Sequence, residues 1–348
     1  MRLFLNRGKS LTGWTEQGFV PLAETIKDVD PPSNCLEIAL VNNMPDGAVE
    51  DTESQFCGLL SATTNGMPVH VQLYTLPHVP RGERLKRYLT ENYADFDDLF
   101  NRHFDGAIIT GTEPRQSNLK QEPYWTEMAD LLNWAEENTS STILSCLAAH
   151  AGVLHSDGIA RSPLPDKHFG VFEYQKSYEH PLTRGTQDPI RFPHSRWNDL
   201  KEEALKSGGY SVLTRSCESG VDSFVKEKKR SLFVHFQGHP EYGHQTLLKE
   251  YRRDVRRYLK QERDTYPSQP RGYFDEKVTG LLDDFRTRAI AERREVTMEG
   301  FPGDEAFNTL QNGWQESARQ VYRNWLHYLA SRKMERAAKS VAVRAGQY

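Results

Sequence analysis

The stretch that most constrains the fold is a short run of β-branched, apolar and small residues that ends at a cysteine. Thr142 to Ser145 form this run, Cys146 follows, and Leu147 to Ala151 have helical character. The pattern predicts a buried strand that delivers Cys146 to a tight turn at the start of a helix. Such a turn lifts the sulfur above the sheet, and the helix N-terminus favours a thiolate. A buried structural cysteine explains this stretch equally well, because free cysteine is among the most buried residue types.

Strands and helices alternate in the sequence before Cys146. The predicted strands are continuous apolar or alternating runs at Leu36–Val41, Val69–Tyr74 and Gly106–Gly111. Helices are expected between them, including an amphipathic helix from Tyr124 to Glu137. This order predicts an α/β fold with a mostly parallel sheet and helices on both faces. Because ligands of such sheets bind beyond the carboxyl ends of the strands, Asn43 and the Gly111 loop are expected to meet Cys146 in one crevice.

The second half of the chain has a less regular pattern. Short predicted strands indicate an antiparallel flap joined to the main sheet, at Gly170–Tyr174, Tyr210–Leu213 and Gly220–Val225. A buried strand returns at Ser231–Phe236 and is followed by a basic helix from Thr246 to Gln261. Two further helices are predicted over 273–294 and 305–339.

These patterns divide the chain into three predicted parts. Residues 1–34 have no sustained period and end in a proline pair, so we expect an arm that leads into the fold. Residues 35–265 form the α/β domain, and 266–348 form a helical C-terminal extension.

Charge and composition argue against several classes of partner. The net charge of −4 and the pI near 6.3 give no electrostatic reason to expect nucleic acid or an anionic membrane. No apolar run is long enough to span a bilayer, and no signal peptide is expected. The four cysteines are widely spaced, at positions 35, 57, 146 and 217. This usage is typical of free thiols in a reducing cytoplasm.

A cysteine nucleophile needs a base within hydrogen-bond reach and a group that orients the base. His239 and Glu241 follow a predicted buried strand, and Gly238 before them allows close approach to a partner. The simplest interpretation is a triad of Cys146, His239 and Glu241. A metal site is less favoured, because His235 and His239 lie on a strand and a turn and no third ligand has suitable spacing. We therefore predict neither a metal nor a bound cofactor.

An ordered set of short motifs resembles the homoserine O-succinyltransferase and O-acetyltransferase family, across roughly residues 35–260. The motifs before Cys146 are Asn43-Met44-Pro45, Thr52-Glu53 with Gln55, Phe104-Asp105-Gly106, Ile109-Thr110-Gly111 and Tyr124-Trp125. Those after it are Lys167 with Phe169-Gly170-Val171, Pro193-His194-Ser195-Arg196, Gly238-His239-Pro240-Glu241-Tyr242, Arg253-Asp254 and Asn324-Trp325-Leu326. The resemblance implies a flavodoxin-like, doubly wound fold of the class I glutamine amidotransferase type, used for acyl transfer.

The resemblance also implies a role for each member of the triad. Cys146 would accept the acyl group of an acyl-CoA as a thioester. His239 would act as general base, first for the thiol and then for the γ-hydroxyl of homoserine, and Glu241 would hold His239. Backbone N–H groups near Leu147 and Gly111 would stabilise the oxyanion.

The implied substrate-binding residues are Lys167, Ser195 and Arg253. Arg253 would hold the amino-acid carboxylate as a bidentate fork. The other arginines of its helix, Arg252, Arg256 and Arg257, are interpreted as solvated surface charges. The implied substrates are L-homoserine and an acyl-CoA, used in methionine biosynthesis, and a homodimer is compatible with this assignment.

Three positions depart from the family pattern. Leu147 stands where tryptophan is usual, and His150 replaces a usual glutamine. Arg115 occupies the position where succinyl users carry glycine and acetyl users carry glutamate. An arginine fork suits the distal carboxylate of a succinyl group, so we expect succinyl-CoA as donor, although an exposed loop arginine is an equally good description. A segment at 273–298 also precedes the usual C-terminal helix.

These departures leave other functions open. Acetyl-CoA could replace succinyl-CoA, and serine or another hydroxy amino acid could replace homoserine. A glutamine amidotransferase would use the same triad, but the C-terminal helices look too small for a synthetase domain. A non-catalytic scaffold is least favoured, because every member of the apparent triad is present.

Overall fold

The computed structural model describes residues 3–5, 12–15, 18–21, 24–25, 32, 34–293, 297–310 and 312–345. Its strands are β1 (Leu3–Leu5), β2 (Thr12–Thr15), β3 (Gly18–Pro21), β4 (Glu24–Thr25), β5 (Leu36–Val41), β6 (Val69–Tyr74), β7 (Gly106–Thr110), β8 (Ser141–Ser145), β9 (Ser162–Lys176), β10 (Ile190–Asp199), β11 (Ser211–Val212), β12 (Thr214–Ser216), β13 (Gly220–Val221), β14 (Ser223–Lys228) and β15 (Ser231–Phe236). Its α-helices are α1 (Val49–Thr63), α2 (Glu83–Asn92), α3 (Phe96–Leu99), α4 (Trp125–Asn138), α5 (Leu147–Asp157), α6 (Glu202–Ser207), α7 (Thr246–Leu259), α8 (Glu276–Ala291), α9 (Gly303–Asn308) and α10 (Gln315–Ala345).

The main sheet of the described chain has nine strands in the order β11-β14-β15-β8-β7-β5-β6-β1-β4. Only the two pairs at the β11 edge are antiparallel, and every pair from β15 to β4 is parallel. Numbered along the chain, the central strands β6-β5-β7-β8-β15 have the order 2-1-3-4-5, which is that of flavodoxin-like sheets. The predicted doubly wound α/β fold is confirmed, and its switch point lies between β5 and β7.

Helices cover both faces of this sheet, as the alternating pattern predicted. On one face, α1 and α10 bury Phe56 and Trp325 in the same core cluster as Ile108. On the other face, α4 and α5 bury Met128 and Ala148 in the cluster that contains Ile109. Adjacent residues of β7 therefore enter opposite layers, because successive side chains of a strand point to opposite faces.

The second, antiparallel sheet departs from the prediction. Its order is β10-β9-β12-β13, and β9 covers 15 residues rather than a short Gly170–Tyr174. Its partner β10 was not predicted, because Pro193 and charged residues interrupt the apolar alternation in both strands. The other two predicted flap strands correspond mostly to β11 and β14. These strands belong to the edge of the main sheet instead.

The C-terminal helices are more divided than predicted, and the last of them extends beyond the predicted end at 339 to Ala345. The predicted helix over 273–294 is α8, and the Asp275 side chain caps it by accepting the Val278 N–H at 2.8 Å. The predicted helix over 305–339 is two helices, α9 and α10. At the turn between them, Trp314 Nε1 donates to the carbonyl of Tyr242 at 2.8 Å, so the turn is anchored beside His239 and Glu241.

The N-terminal segment also contributes to the main sheet. β1 lies within the predicted arm, yet it pairs in parallel with both β6 and β4. Leu3 and Leu5 are fully buried in this pairing, so β1 packs as part of the sheet. Other residues of 1–34 fall outside the described residues, and the division of the chain at 34/35 and 265/266 stays a prediction.

Candidate active site

Cys146 lies at the sharp turn that the sequence predicted, between β8 and α5. Its backbone has φ +52° and ψ −111°, a conformation that is unusual for a residue with a side chain. The Cys146 N–H donates to the carbonyl of Phe236 at 2.8 Å, and its carbonyl accepts from Ala149 at 3.0 Å. These bonds fix the turn between two parallel strands. Cys146 is partly exposed at the carboxyl edge of the sheet.

His239 stands beside this sulfur. It follows β15, which pairs in parallel with β8, so both strands deliver their next residues to the same edge. The imidazole is buried, hydrogen-bonded to Glu241 and within electrostatic reach of the Cys146 side chain. Burial lowers the pKa of His239, but the negative charges of Cys146 and Glu241 raise it by more, so that it lies well above its ordinary value. A protonated His239 imidazole is therefore favoured.

Glu241 orients this imidazole. Its Oε1 accepts from His239 Nδ1 at 2.8 Å and from Ser145 Oγ at 3.3 Å. Tyr242 stacks on the other side of the ring, with a centroid separation of 4.2 Å and an interplanar angle of 17°. The structure therefore brings the three predicted triad residues together and holds the histidine in one orientation.

Gly111 and Leu147 meet next to Cys146. A Cβ atom at Gly111 would lie 2.3 Å from Leu147 Cβ and 3.0 Å from Leu147 N, so only glycine fits there. Leu147 is the first residue of α5, and the first N–H groups of a helix have no partner within the helix. A developing oxyanion at this point would face backbone donors and the positive end of the helix.

Two other histidines lie near the triad but have different partners. His150 Nε2 is 2.9 Å from Gln237 Oε1, and His194 Nε2 is 2.7 Å from the Tyr174 hydroxyl. Burial lowers the pKa of each to about 4, so both are neutral at pH 7. Neither is arranged to act as the base for Cys146.

The three predicted substrate-binding residues converge on two carboxylates of α7. Lys167 Nζ is 3.5 Å from Glu250 Oε2 and 3.6 Å from Asp254 Oδ2. Ser195 Oγ donates to Glu250, and Arg253 Nε donates to Asp254 at 3.0 Å.

Glu250 is a candidate functional residue that the sequence reasoning missed. It precedes Arg253 by three positions and Asp254 by four, which places all three on neighbouring helix positions. It also accepts from the hydroxyl of Tyr242 at 2.7 Å, and so connects this charged group to the ring that stacks on His239. Helical spacing from Arg253 was the signal that could have found it.

Arg115 lies on the exposed loop that follows Gly111. The carboxylate of Glu122 accepts the backbone N–H groups of Arg115 and Gln116, both at 2.6 Å, and fixes the loop. Arg161 was not predicted as a site residue. Its half-buried guanidinium lies within electrostatic reach of Glu122, Tyr124 and Cys146.

The described part of the chain has neither a metal-binding cluster nor a membrane-spanning helix. No group of three or more His, Cys, Asp or Glu side chains among the described residues is arranged to hold a metal ion. Of the helices that the structure describes, none combines the length and apolar character needed to cross a membrane.

Comparison with known proteins gives one consistent family. A family model described as homoserine O-succinyltransferase matches residues 22–336. The homoserine O-succinyltransferase of Rhodopseudomonas palustris is 43% identical over 304 residues, which are 87% of this chain and 91% of that protein. That of Methylorubrum extorquens is 41% identical over 303 residues, 87% of this chain and 90% of that protein.

A glutamine amidotransferase structure from Thermotoga maritima aligns with a TM-score of 0.42 at 11% identity, over 86% of this chain and 99% of that chain. The family assignment depends on the sequence matches alone, which span most of this chain and most of each relative. The chain belongs to the homoserine O-succinyltransferase family.

Proposed function

We propose that this chain transfers a succinyl group from succinyl-CoA to the γ-hydroxyl of L-homoserine, as a step in methionine biosynthesis. The observation that carries the proposal is the Cys146–His239–Glu241 triad at the carboxyl edge of the sheet, in a chain of this family. The free thiols of the described cysteines suit a reducing compartment, so we place the reaction in the cytoplasm. A homodimer stays a prediction.

The first half-reaction transfers the acyl group to the enzyme. The Cys146 thiolate attacks the thioester carbonyl, and the oxyanion is met by the Leu147 N–H and the backbone at Gly111. The tetrahedral intermediate collapses by breaking the carbonyl–sulfur bond to CoA. His239 gives its proton to the departing CoA thiolate, which leaves a succinyl thioester on Cys146 and a neutral imidazole.

The second half-reaction transfers the group to homoserine. Neutral His239 takes the proton of the γ-hydroxyl as its oxygen attacks the thioester carbonyl. Collapse of this second intermediate breaks the bond to Cys146 and restores the thiolate and the imidazolium. Glu241 keeps Nδ1 of His239 occupied through both steps, so Nε2 is the nitrogen that exchanges the proton.

The charged group on α7 suits a zwitterionic acceptor. We assign the homoserine carboxylate to Arg253 and Lys167, with Ser195 positioning the substrate. Glu250 and Asp254 hold these cations in place, and Glu250 can also accept a hydrogen bond from an α-ammonium group. Arg115 is assigned to the distal carboxylate of the succinyl group, which favours succinyl-CoA over acetyl-CoA.

The decisive experiment separates the half-reactions. Enzyme mixed with succinyl-CoA alone should gain one succinyl mass on the peptide that contains Cys146, and Cys146→Ala should abolish both this adduct and turnover. Initial-rate kinetics should be ping-pong, because CoA leaves before homoserine is acylated. An adduct on Cys57 or Cys217 instead of Cys146 would refute the mechanism.

Substrate identity needs a crossed assay. CoA release should be measured with homoserine and serine, each against succinyl-CoA and acetyl-CoA. We expect the homoserine and succinyl-CoA pair to be fastest. A preference for acetyl-CoA would overturn the donor assignment, and glutamine hydrolysis without acyl transfer would overturn the proposed function.

A further inference from the structure

A cleft of ≈ 580 Å³ opens beside the candidate active site. Its walls are the loops that follow three neighbouring strands of the main sheet. The loop after β5 contributes Pro45 and Asp46, the loop after β6 contributes Val79 to Gly82, and the loop after β7 contributes Thr112 to Arg115. These loops flank the switch point between β5 and β7, which is where doubly wound sheets bind nucleotides and related ligands.

The cleft connects with the place where the acyl group is transferred. Thr112, in the cleft wall, directly follows Gly111, which contacts the backbone of Leu147 beside the nucleophile. Glu122 and Tyr124 also line the cleft, and both lie within electrostatic reach of Arg161, as Cys146 does. A ligand in the cleft could therefore extend to the Cys146 sulfur.

Arg81 gives the cleft a buried cation. The side chain is only 5% exposed, and its Nη1 lies 3.6 Å from Asp46 Oδ1. Its Nη2 donates to Thr75 Oγ1 at 3.2 Å, whereas its buried Nε–H has no partner among the described residues. Nη1 also donates to the carbonyl of Met44, so the cation is held in a fixed position in the cleft wall.

Arg257 supplies a second cation to the lining of the cleft. Its helix is α7, and its Nε lies 4.0 Å from Glu262 Oε2, which is too long for a strong ion pair. The side chain is 48% exposed and lines the cleft. The interpretation of Arg257 as a solvated surface charge is therefore incomplete, because the fold turns this arginine toward a concave site.

The carboxylates at the cleft are mostly engaged by the protein itself. Asp46 accepts the Gly82 N–H at 2.8 Å and pairs with Arg81, and Glu122 accepts two backbone N–H groups. Helix α2 begins at Glu83, directly after Gly82, so the positive end of a ten-residue helix also faces this region. The arrangement suits an anion with several oxygens that is attached to an apolar or aromatic body.

We propose that this cleft binds the phosphate-bearing nucleotide half of the acyl-CoA, with Arg81 and Arg257 as its phosphate ligands. The inference deepens the proposed function and depends on it for the identity of the thioester. Guanidinium groups bind phosphate oxygens in a fork geometry. The apolar walls at Pro45, Val79 and Tyr124 suit the adenine ring and the pantetheine arm. The pantetheine arm then passes Thr112 to bring the thioester to Cys146.

The test compares two donors that share one thioester. Succinyl-CoA carries the phosphates, and succinyl-pantetheine lacks them. Arg257→Ala should raise the KM for succinyl-CoA about tenfold, as expected for loss of one charge-assisted hydrogen bond at a half-exposed site. The same variant should leave kcat/KM for succinyl-pantetheine unchanged. Arg256→Ala is the matched control, because Arg256 is the exposed neighbour on the same helix and does not line the cleft. It should affect neither donor.

A binding measurement keeps this inference separate from the proposed function. By calorimetry, the wild-type chain should bind free CoA more tightly than pantetheine. Arg257→Ala should lower the ratio of these two affinities about tenfold. This result would support the cleft assignment even if turnover with succinyl-CoA and homoserine failed. Three results would each overturn the cleft assignment. They are an equal fall in kcat/KM for both donors in Arg257→Ala, an unchanged KM for succinyl-CoA in that variant, and equal affinity of the wild-type chain for CoA and pantetheine.

Discussion

Cys146 holds its sulfur in a strained backbone conformation that surrounding bonds impose. A non-glycine residue at φ +52° and ψ −111° costs of order 1–3 kcal/mol. The hydrogen bonds of its N–H to β15 and of its carbonyl to the first turn of α5 offset that cost. The turn has a chemical use, because it places Cys146 directly at the N-terminus of α5.

Substitution of the base and of the residue that orients it should give separable results. His239→Ala should abolish nearly all turnover, because no other described histidine is placed to replace it. Glu241→Gln should leave a folded chain whose kcat falls by roughly 10²–10⁴-fold, since the imidazole is present but no longer held as an imidazolium. Circular dichroism should confirm folding of both variants. Wild-type turnover in His239→Ala would show that another group is the base.

Arg115 should decide between acyl donors. Arg115→Glu should lower kcat/KM for succinyl-CoA by about one to two orders of magnitude, which is what the loss of a charged hydrogen bond implies, and should spare acetyl-CoA. Lys120→Glu is the charge-matched control, because Lys120 is exposed on the same connection and does not line the cleft. Equal use of both donors by wild type and Arg115→Glu would show that the loop does not read the distal carboxylate.

His150 should make the fold sensitive to acid. Burial lowers the pKa of His150 to about 4, below the value of about 6.5 expected in the unfolded chain. The stability that comes from keeping it neutral is present above pH 6.5 and is lost as the pH falls towards 4, because the unfolded chain binds the proton first. Urea unfolding at pH 7 and pH 5 should show this loss. Between these two pH values, the free energy of unfolding of His150→Gln should fall by about 1–2 kcal/mol less than that of the wild type.

His194 and His235 are also fully buried with lowered pKa values, so the wild-type decline should be steep and the variant should remove only part of it. An identical decline in wild type and His150→Gln would contradict the assignment of a neutral, buried imidazole. Glutamine is a fair replacement, because its amide can keep a hydrogen bond to Gln237.

At the scale of elements, the site depends on the close approach of β7 to α5. Gly111→Ala should destabilise the fold by about 1–3 kcal/mol, because the new Cβ would overlap Leu147. It should also lower kcat by roughly 10²–10³-fold if the Leu147 N–H moves out of reach of the oxyanion. Stopped-flow acylation and thermal unfolding would measure the two effects.

Gly280→Ala is the matched control for this change. Gly280 lies within α8, its Cβ would meet nothing within 4 Å, and it is exposed. Alanine there should stabilise the chain by about 0.5–1 kcal/mol through helix propensity and leave turnover unchanged. Full activity in Gly111→Ala would remove the oxyanion role from this contact.

The sequence predicted best those strands whose continuous apolar runs reflect burial on both faces of the sheet. β5, β6 and β15 begin and end where the apolar runs do, because a central parallel strand is covered by helices on both faces. β9 and β10 were missed or shortened, since they form a partly exposed antiparallel sheet in which prolines and charges replace the apolar alternation. Local composition could not reveal a pairing between segments that are separated in the chain.

The site shows the same division between local and long-range information. His239 and Glu241 could be proposed from the sequence, because both follow one strand within a few residues. Arg161 and Arg257 could not, since Arg161 bonds to the loop after β7 and Arg257 lines the cleft, and the loops they approach are more than 40 positions away in the chain. Their own sequence neighbours carry only the signature of a polar surface.

At the scale of the whole molecule, the C-terminal helix is part of the main core. Trp325 in α10 is fully buried, donates from Nε1 to Ser141 Oγ at 2.9 Å and packs where Gly106 of β7 leaves no room for a Cβ. Lys333 pairs with the buried Asp105 at 2.8 Å. Tyr322 of the same helix is buried within electrostatic reach of Glu241.

This packing predicts that the chain does not fold without its C-terminal segment. Trp325→Ala should lower the free energy of unfolding by about 3–5 kcal/mol, the usual range for removing a buried aromatic side chain. Met334→Ala on the same helix is the control, because Met334 is 69% exposed and its loss should change stability little. A chain that ends at residue 265 would expose the face of the sheet that α10 covers, and it should lack a cooperative urea transition and any turnover. Cooperative unfolding of that shortened chain with retained activity would instead establish 266–348 as a separable extension.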